Sequence, residues 1–326
     1  MKQTAELGAF LRSRRARLRP DDVGLAPDAR ARRMAGLRRE ELAQLAGIST
    51  DYYIRLEQGR SGNVSEEILH ALAEALRLDR TERAHMMNLA AAGTGPRRRA
   101  PERPQRVRPG LHEVLDILEH VPAFILGRRT DVLAANRLAR TVLTDFDALP
   151  ASRRNYARYL LLDPAARERC LDWERTAAET VAMLRLDAGR HPHDRQLTAL
   201  IGELSVHSPQ FPRWWSDHQV QERSHGVKRY RHPLVGDITF RYECLSPPDD
   251  PDQTLCIYTA GPEPSDRENL ALLGSRTERE HHAHSQRRTR YRARIHDPPA
   301  ITLLPGSAPE AAVQRNVAVR DDRRAR

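Results

Sequence analysis

Residues 37–60, LRREELAQLAGISTDYYIRLEQGR, leave this chain little freedom locally, because a glycine separates two short segments of helical apolar spacing. In the first segment Leu42, Leu45 and Ala46 form an apolar face, while Arg38, Arg39, Glu40 and Glu41 stay polar. Gly47 allows a sharp reversal through a positive φ that other residues resist. Ile48 then plugs into the core, and Ser49 is placed to accept a hydrogen bond from the first free amides of the next helix. In that helix Tyr53 and Leu56 face inward with Ile48, which leaves Thr50, Asp51, Tyr52 and Arg55 outward, and Gly59 ends it. Two helices joined by so tight a turn make a helix-turn-helix whose second helix shows a polar outer face.

The flanks complete a small all-α unit. Leu7, Phe10, Leu11 and Leu18 mark a preceding helix whose other face is arginine-rich. Ser65 caps a helix that buries Ile68, Leu69, Leu72, Ala75 and Leu76, and Asp79 with Glu82 reads as a capping box for a last helix through Leu89. Five helices within residues 1–92 are enough for one core. The irregular stretch 19–36 interrupts them with Pro20, Gly24 and Pro27, followed by Arg30, Arg32 and Arg33. Beside a helix-turn-helix on DNA, these three arginines are expected to lie along phosphates or enter an adjacent minor groove.

A net charge of +10 and a pI near 10.1 point to acidic partners. The excess is unevenly placed: residues 1–93 hold 16 basic and 13 acidic side chains, 94–110 hold 6 and 1, and 111–274 hold 20 and 24. Only Lys2 and Lys228 are lysines, a bias that suits phosphate and base recognition but that a GC-rich coding sequence also produces. Residues 93–110, GTGPRRRAPERPQRVRPG, read as a semi-rigid basic linker, and the arginine-rich tail 275–326 reads as disordered. Cys170, Cys244 and Cys256 are odd in number and irregularly spaced, which argues against a disulfide framework or a zinc module. With no long apolar run and no signal peptide, the chain is expected to be a soluble cytoplasmic protein without a membrane partner.

Between 111 and 274 the pattern becomes mixed. Ala123–Leu126 and Asp131–Ala135 read as a hairpin around Gly127-Arg128-Arg129. Cys170, Trp173, Ala177, Val181 and Leu184 form one helical stripe, and Leu197, Leu200, Ile201 and Leu204 another. Three further strands are expected near 226–231, 237–243 and 254–259, giving a sheet of about five strands with helices over one face. The fold class expected is therefore multidomain, an all-α helix-turn-helix domain followed by an α+β domain. The three tryptophans lie in this second domain with other aromatic residues, so Phe124, Trp173, Phe211, Trp214, Tyr230 and Phe240 are candidates to line an apolar ligand cavity. His191-Pro192-His193 and the cluster 281–284 lack matched metal ligands, and no nucleophile, phosphate-loop or paired-carboxylate motif stands out. Neither a metal, a cofactor nor an enzyme is expected.

The spacing of Gly47-Ile48-Ser49, Arg55-Leu56-Glu57 and Gly59 resembles the Cro/CI-repressor (XRE) helix-turn-helix, of the lambda repressor-like fold. LGAFLRSRRARL, GLRREELAQLAGIS, DYYIRLEQGR and HPLVGDITFRYE, spread over roughly residues 5–274, are together similar to the actinobacterial MmyB-like regulators. That resemblance implies sequence-specific binding of double-stranded DNA. Arg55 has the donors for guanine O6 and N7, Asp51 can accept from cytosine N4, and Thr50 can meet thymine or either base edge. Ser49 and Tyr52 are expected at the same surface, with Tyr52 on backbone, while Arg39 and Arg60 are placed for phosphate. The resemblance also implies a structural pair, Arg15 with Glu57, a PAS-like second domain that takes a fatty-acid-like small molecule, and a homodimer on two half-sites. Two other readings stay open: a protein-interaction module without small-molecule input, and an enzyme with a DNA-binding appendage.

Overall fold

The computed structural model of the chain describes residues 3–25, 36–92, 104–222 and 224–276. Arg30, Arg32 and Arg33, most of the basic linker and nearly all of the tail lie outside the described residues. Among the described residues the amino-terminal domain holds five α-helices, α1 (Gln3–Arg17), α2 (Arg39–Leu45), α3 (Thr50–Glu57), α4 (Glu66–Ala75) and α5 (Arg80–Ala91), and one turn of 3-10 helix at Pro20–Val23 in the stretch read as irregular. Their starts are chemically defined. The Ser49 hydroxyl accepts from the Tyr52 N–H at 3.2 Å and that of Ser65 from Ile68 at 3.4 Å, while Asp79 and Glu82 exchange reciprocal capping bonds. Gly47 turns the chain after α2 with φ +65°.

Phe10, Leu11, Leu42, Tyr53, Leu72 and Met86 form the fully buried centre of this domain. One expectation needs correction. Leu45 is exposed, because α2 and its C-cap residue turn Leu42, Ala43 and Ala46 inward instead. On the arginine-rich face of α1, Arg14 and Arg15 are buried.

The second domain begins with α6 (Pro109–Ile117), then β1 (Ala123–Leu126), β2 (Val132–Ala135) and α7 (Arg137–Val142). A helical layer comes next: α8 (Tyr156–Leu162), α9 (Pro164–Arg169), α10 (Trp173–Arg190), α11 (Arg195–His207) and α12 (Phe211–Ser216). The chain returns through β3 (His225–His232), β4 (Gly236–Leu245) and β5 (Thr254–Ala260), and the described residues close with a helix over 264–276, α13. All strand pairs are antiparallel, in the order β2-β1-β5-β4-β3. Strand alternation sends Phe124, Tyr230, Phe240 and Tyr258 to one face, where they pack with α8 and α10 in the main core. The opposite face is also covered in part: Leu115 of α6 packs with Ala123, Ile125 and Leu255, so helices do not lie over one face alone.

Residues 104–110, assigned above to the linker, pack on this domain. The Gln105 Oε1 accepts from the Arg128 N–H at 2.7 Å, and Gln253 donates to the Arg106 carbonyl at 3.0 Å. Pro109 opens α6, where its missing N–H costs nothing. Among the described residues no helix is long and apolar enough to cross a membrane.

Candidate nucleic-acid interface and its junction with the second domain

Helix α3 buries Tyr53, Leu56 and Glu57 and leaves Asp51 and Arg55 exposed, with Thr50 half-buried beside them. A polar row at the amino-terminal end of a helix is what a major groove admits, because the first turn also presents free N–H groups. Tyr52 is not simply outward: it leans on the helical core, and its ring lies 5.9 Å from the Arg55 guanidinium. That contact restrains the Arg55 side chain before any partner arrives. Arg60 is exposed just past Gly59, its N–H bonded to the Arg55 carbonyl at 2.9 Å.

Beneath this face lies a buried carboxylate. Glu57 accepts from Arg15 Nε at 2.7 Å, from Arg39 Nε at 2.8 Å and from the Tyr53 hydroxyl at 2.8 Å. Arg15 further donates to the Leu37 carbonyl at 2.5 Å, and Arg12 to that of Glu57 at 3.1 Å. Burial alone would push the Glu57 carboxyl up, but the bonds from Arg15, Arg39 and Tyr53 outweigh it and hold it below the usual carboxylate range. The geometry thus widens the Arg15–Glu57 pair into a cluster tying α1 and α2 to the end of α3. Arg39 is part of it: its Nε is committed to Glu57, while about half of the side chain stays exposed.

The helical domain is seated directly on the second domain. Leu186 of α10 and Val220, after α12, belong to its apolar core, and Gly189 lies against the His85 ring of α5. Arginines line the seam. Arg14 faces Glu82 at 2.8 Å and donates to the His218 carbonyl at 2.8 Å, and burial pushes its guanidinium down to about 10. Arg185 reaches back to Glu6 at 3.2 Å, donates to the Trp215 carbonyl and lies 4.1 Å over the Trp215 ring. Burial first, then the charges of Arg185 and Arg14, push His85 down to about 3, so the ring is neutral at physiological pH. Periodicity shows an apolar stripe on α10 and an arginine-rich face on α1 but gives no sign that the two helices meet; buried arginines have no pattern of their own.

The six aromatic candidates for a ligand site share one core. Phe124, Tyr230 and Phe240 lie on the inner sheet face, with Phe124 5.5 Å from Tyr258 and Tyr230 6.0 Å from Phe240. Trp173 and Trp214 meet at 5.7 Å on the helical side, and Phe211 stacks on Trp215 at 5.5 Å. Among these rings sits a residue that aromatic content could not reveal. Lys228 is buried on β3, donates to the Tyr156 hydroxyl at 2.8 Å and faces the rings of Tyr156 and Tyr242 at 5.1 and 5.3 Å. None of the six lines the cavity of about 220 Å³ that opens beside the seam, bordered by Leu126, Leu186, Asp187, Gln221, Ser246 and Thr254. Burial pushes the Asp187 carboxyl there up to about 6, although it accepts from the Arg129 N–H at 2.9 Å. His191, from the His-Pro-His motif, is tied to Asp252 at 3.0 Å.

The family model of the MmyB-like transcription regulator ligand binding domain matches residues 107–273, just over half of the chain. The chain belongs to the MmyB-like transcription regulators. A helix-turn-helix domain model matches residues 6–86 of the same chain. Comparison with curated proteins finds no match. The all-α unit of this MmyB-like regulator is thus a DNA-binding domain, the α+β unit is a ligand-binding domain, and both are domains of transcription regulation rather than of an enzyme family.

The two arginines of the reading face should differ in kind. Arg55→Ala in this regulator is expected to cost ~1–3 kcal/mol at one base position and to relax selectivity there, whereas Arg39→Ala weakens all sequences together. Titrations against single-base operator variants check this. Uniform losses across the panel for both variants would remove Arg55 from base reading.

Proposed function

We propose that this MmyB-like regulator binds operator half-sites as a homodimer, with Thr50, Asp51 and Arg55 at base edges and Ser49, Tyr52, Arg39 and Arg60 at the backbone. An apolar, fatty-acid-like molecule in the ligand-binding domain changes its operator affinity. The observation that carries this reading is the seam. Leu186 and Val220 of the ligand-binding domain are built into the core of the DNA-binding domain, so a shift of α10 or of the segment after α12 is felt by the helices that hold α3. A ligand acts through its difference in affinity for two arrangements of that seam and by no more than that difference. The ligand expected is an apolar acid, which would have to part the packed rings of Phe124, Trp173, Phe211, Trp214, Tyr230 and Phe240 and would there meet the buried Lys228. Arg30, Arg32 and Arg33 are proposed to add sequence-independent phosphate contacts beside the two half-sites, set about one helical turn apart.

Selection of genomic fragments on the full-length protein, followed by footprinting, supplies the operator. Titration of that operator with and without dodecanoic acid is expected to show two protected half-sites and a shifted affinity. A single protected half-site would remove the dimer, and unchanged affinity with the acid demonstrably bound would remove the coupling.

A further inference from the structure

Spacing along the chain gave no reason to pair the three cysteines, yet the sheet brings two of them together. Cys244 of β4 lies directly opposite Cys256 of β5, and their sulfurs are 3.0 Å apart. In the structure no disulfide joins any of the three cysteines. The ladder places this pair well for a bond. The Gly261 N–H donates to the Thr239 carbonyl, which makes 239 and 261 a hydrogen-bonded pair of the two strands; with alternation, 244 and 256 form a non-hydrogen-bonded pair. The Cys244 N–H points the other way, to the Ser224 carbonyl at 2.6 Å. At such pairs the Cα atoms approach to about 4.5 Å, inside the range that a disulfide spans, and the side chains lean together.

We propose that Cys244 and Cys256 are a peroxide-sensitive thiol pair that closes a reversible disulfide across β4 and β5. Accessibility assigns the roles. Cys244 is half-buried and meets the oxidant, whereas Cys256 is fully buried against it. The Cys244 sulfur, as thiolate, attacks one peroxide oxygen; the O–O bond breaks, one water leaves, and Cys244 carries a sulfenic acid. The Cys256 sulfur then attacks the Cys244 sulfur, forms the S–S bond and expels the second water. Two thiols and one hydrogen peroxide become one disulfide and two waters, the protein losing two protons and two electrons.

The bond would brace the sheet where it reaches the seam cavity. Two residues beyond the pair, the Ser246 and Thr254 hydroxyls are 3.0 Å apart, and both residues border that cavity. Cys170 lies elsewhere, beside Thr176 with its sulfur 3.7 Å from that hydroxyl, and takes no part.

The test uses the full-length, reduced protein and hydrogen peroxide, followed by denaturation in an alkylating reagent and peptide mapping by mass spectrometry. The number of alkylated cysteines is expected to fall from three to one, with a Cys244–Cys256 peptide lighter by two hydrogens. Dithiothreitol should restore all three. The melting temperature should rise on oxidation, because the bond closes a short loop in the unfolded chain. Cys170→Ser should still give the linked peptide, its alkylated cysteines falling from two to none, and Cys244→Ser should abolish that peptide while the protein stays folded by circular dichroism. Three alkylated thiols after peroxide, an over-oxidised Cys244 without the bond, or a disulfide only between chains would each overturn the proposal.

Discussion

Replacing Glu57 by alanine is expected to destabilise the DNA-binding domain by about 3–5 kcal/mol. The carboxylate is 1% exposed and holds Arg15, itself 8% exposed, together with Arg39 and Tyr53. Removing one partner of a buried pair leaves the other charge uncompensated, at a cost of about 3–5 kcal/mol. That is a large share of the stability of a small domain, about 5–15 kcal/mol. Urea titrations followed by far-ultraviolet circular dichroism measure it, since the three tryptophans all lie in the other domain and do not report on this one. Glu57→Gln keeps an acceptor and should lose less. Because the folded carboxyl is held below its unfolded value, its contribution is fully present above the ordinary glutamate pKa of about 4.3 and is lost as pH falls through the folded value. The parent should therefore approach the Glu57→Gln variant only in that acidic range. A loss under about 1 kcal/mol for Glu57→Ala at neutral pH would mean that Arg15 finds water once the carboxylate is gone.

Gly189→Leu is expected to separate the two domains without unfolding either. A Cβ at Gly189 would stand 2.5 Å from His85 Nδ1 and 2.6 Å from its Cε1. The ring has little room to yield, being packed edge-on against Phe10 at 5.2 Å. Overpacking of this kind costs about 1–3 kcal/mol, and here the cheaper relief is to lift α10 off α5. Small-angle scattering should show a more extended particle, and limited proteolysis should cut more readily between the domains. Operator affinity without ligand should persist, while its response to dodecanoic acid disappears. A variant with a full ligand response would show that coupling does not run through this seam.

Local chemistry made the DNA-binding domain legible along the chain. Ser49, Ser65 and Asp79 each cap the helix that starts at the next residue, Gly47 marks its own turn, and apolar spacing in α3 separates Tyr53 and Leu56 from Asp51 and Arg55. The β-strands were legible for the same reason, since Tyr230 and His232 alternate with exposed Arg229 and Arg231 on β3. Short helices were read less well: α2 has seven residues, and so brief a stretch does not say whether Leu45 or Ala43 turns inward. Tertiary structure decided the contacts between residues far apart in the chain. It made Glu57 the shared acceptor of Arg15 and Arg39, buried Arg14 and Arg185 in a seam between domains, enclosed Lys228 among tyrosines and set Cys244 opposite Cys256. Those placements pair one polar or sulfur side chain with another group 12 to 204 positions away, and a pairing of that kind leaves no periodic trace in the sequence.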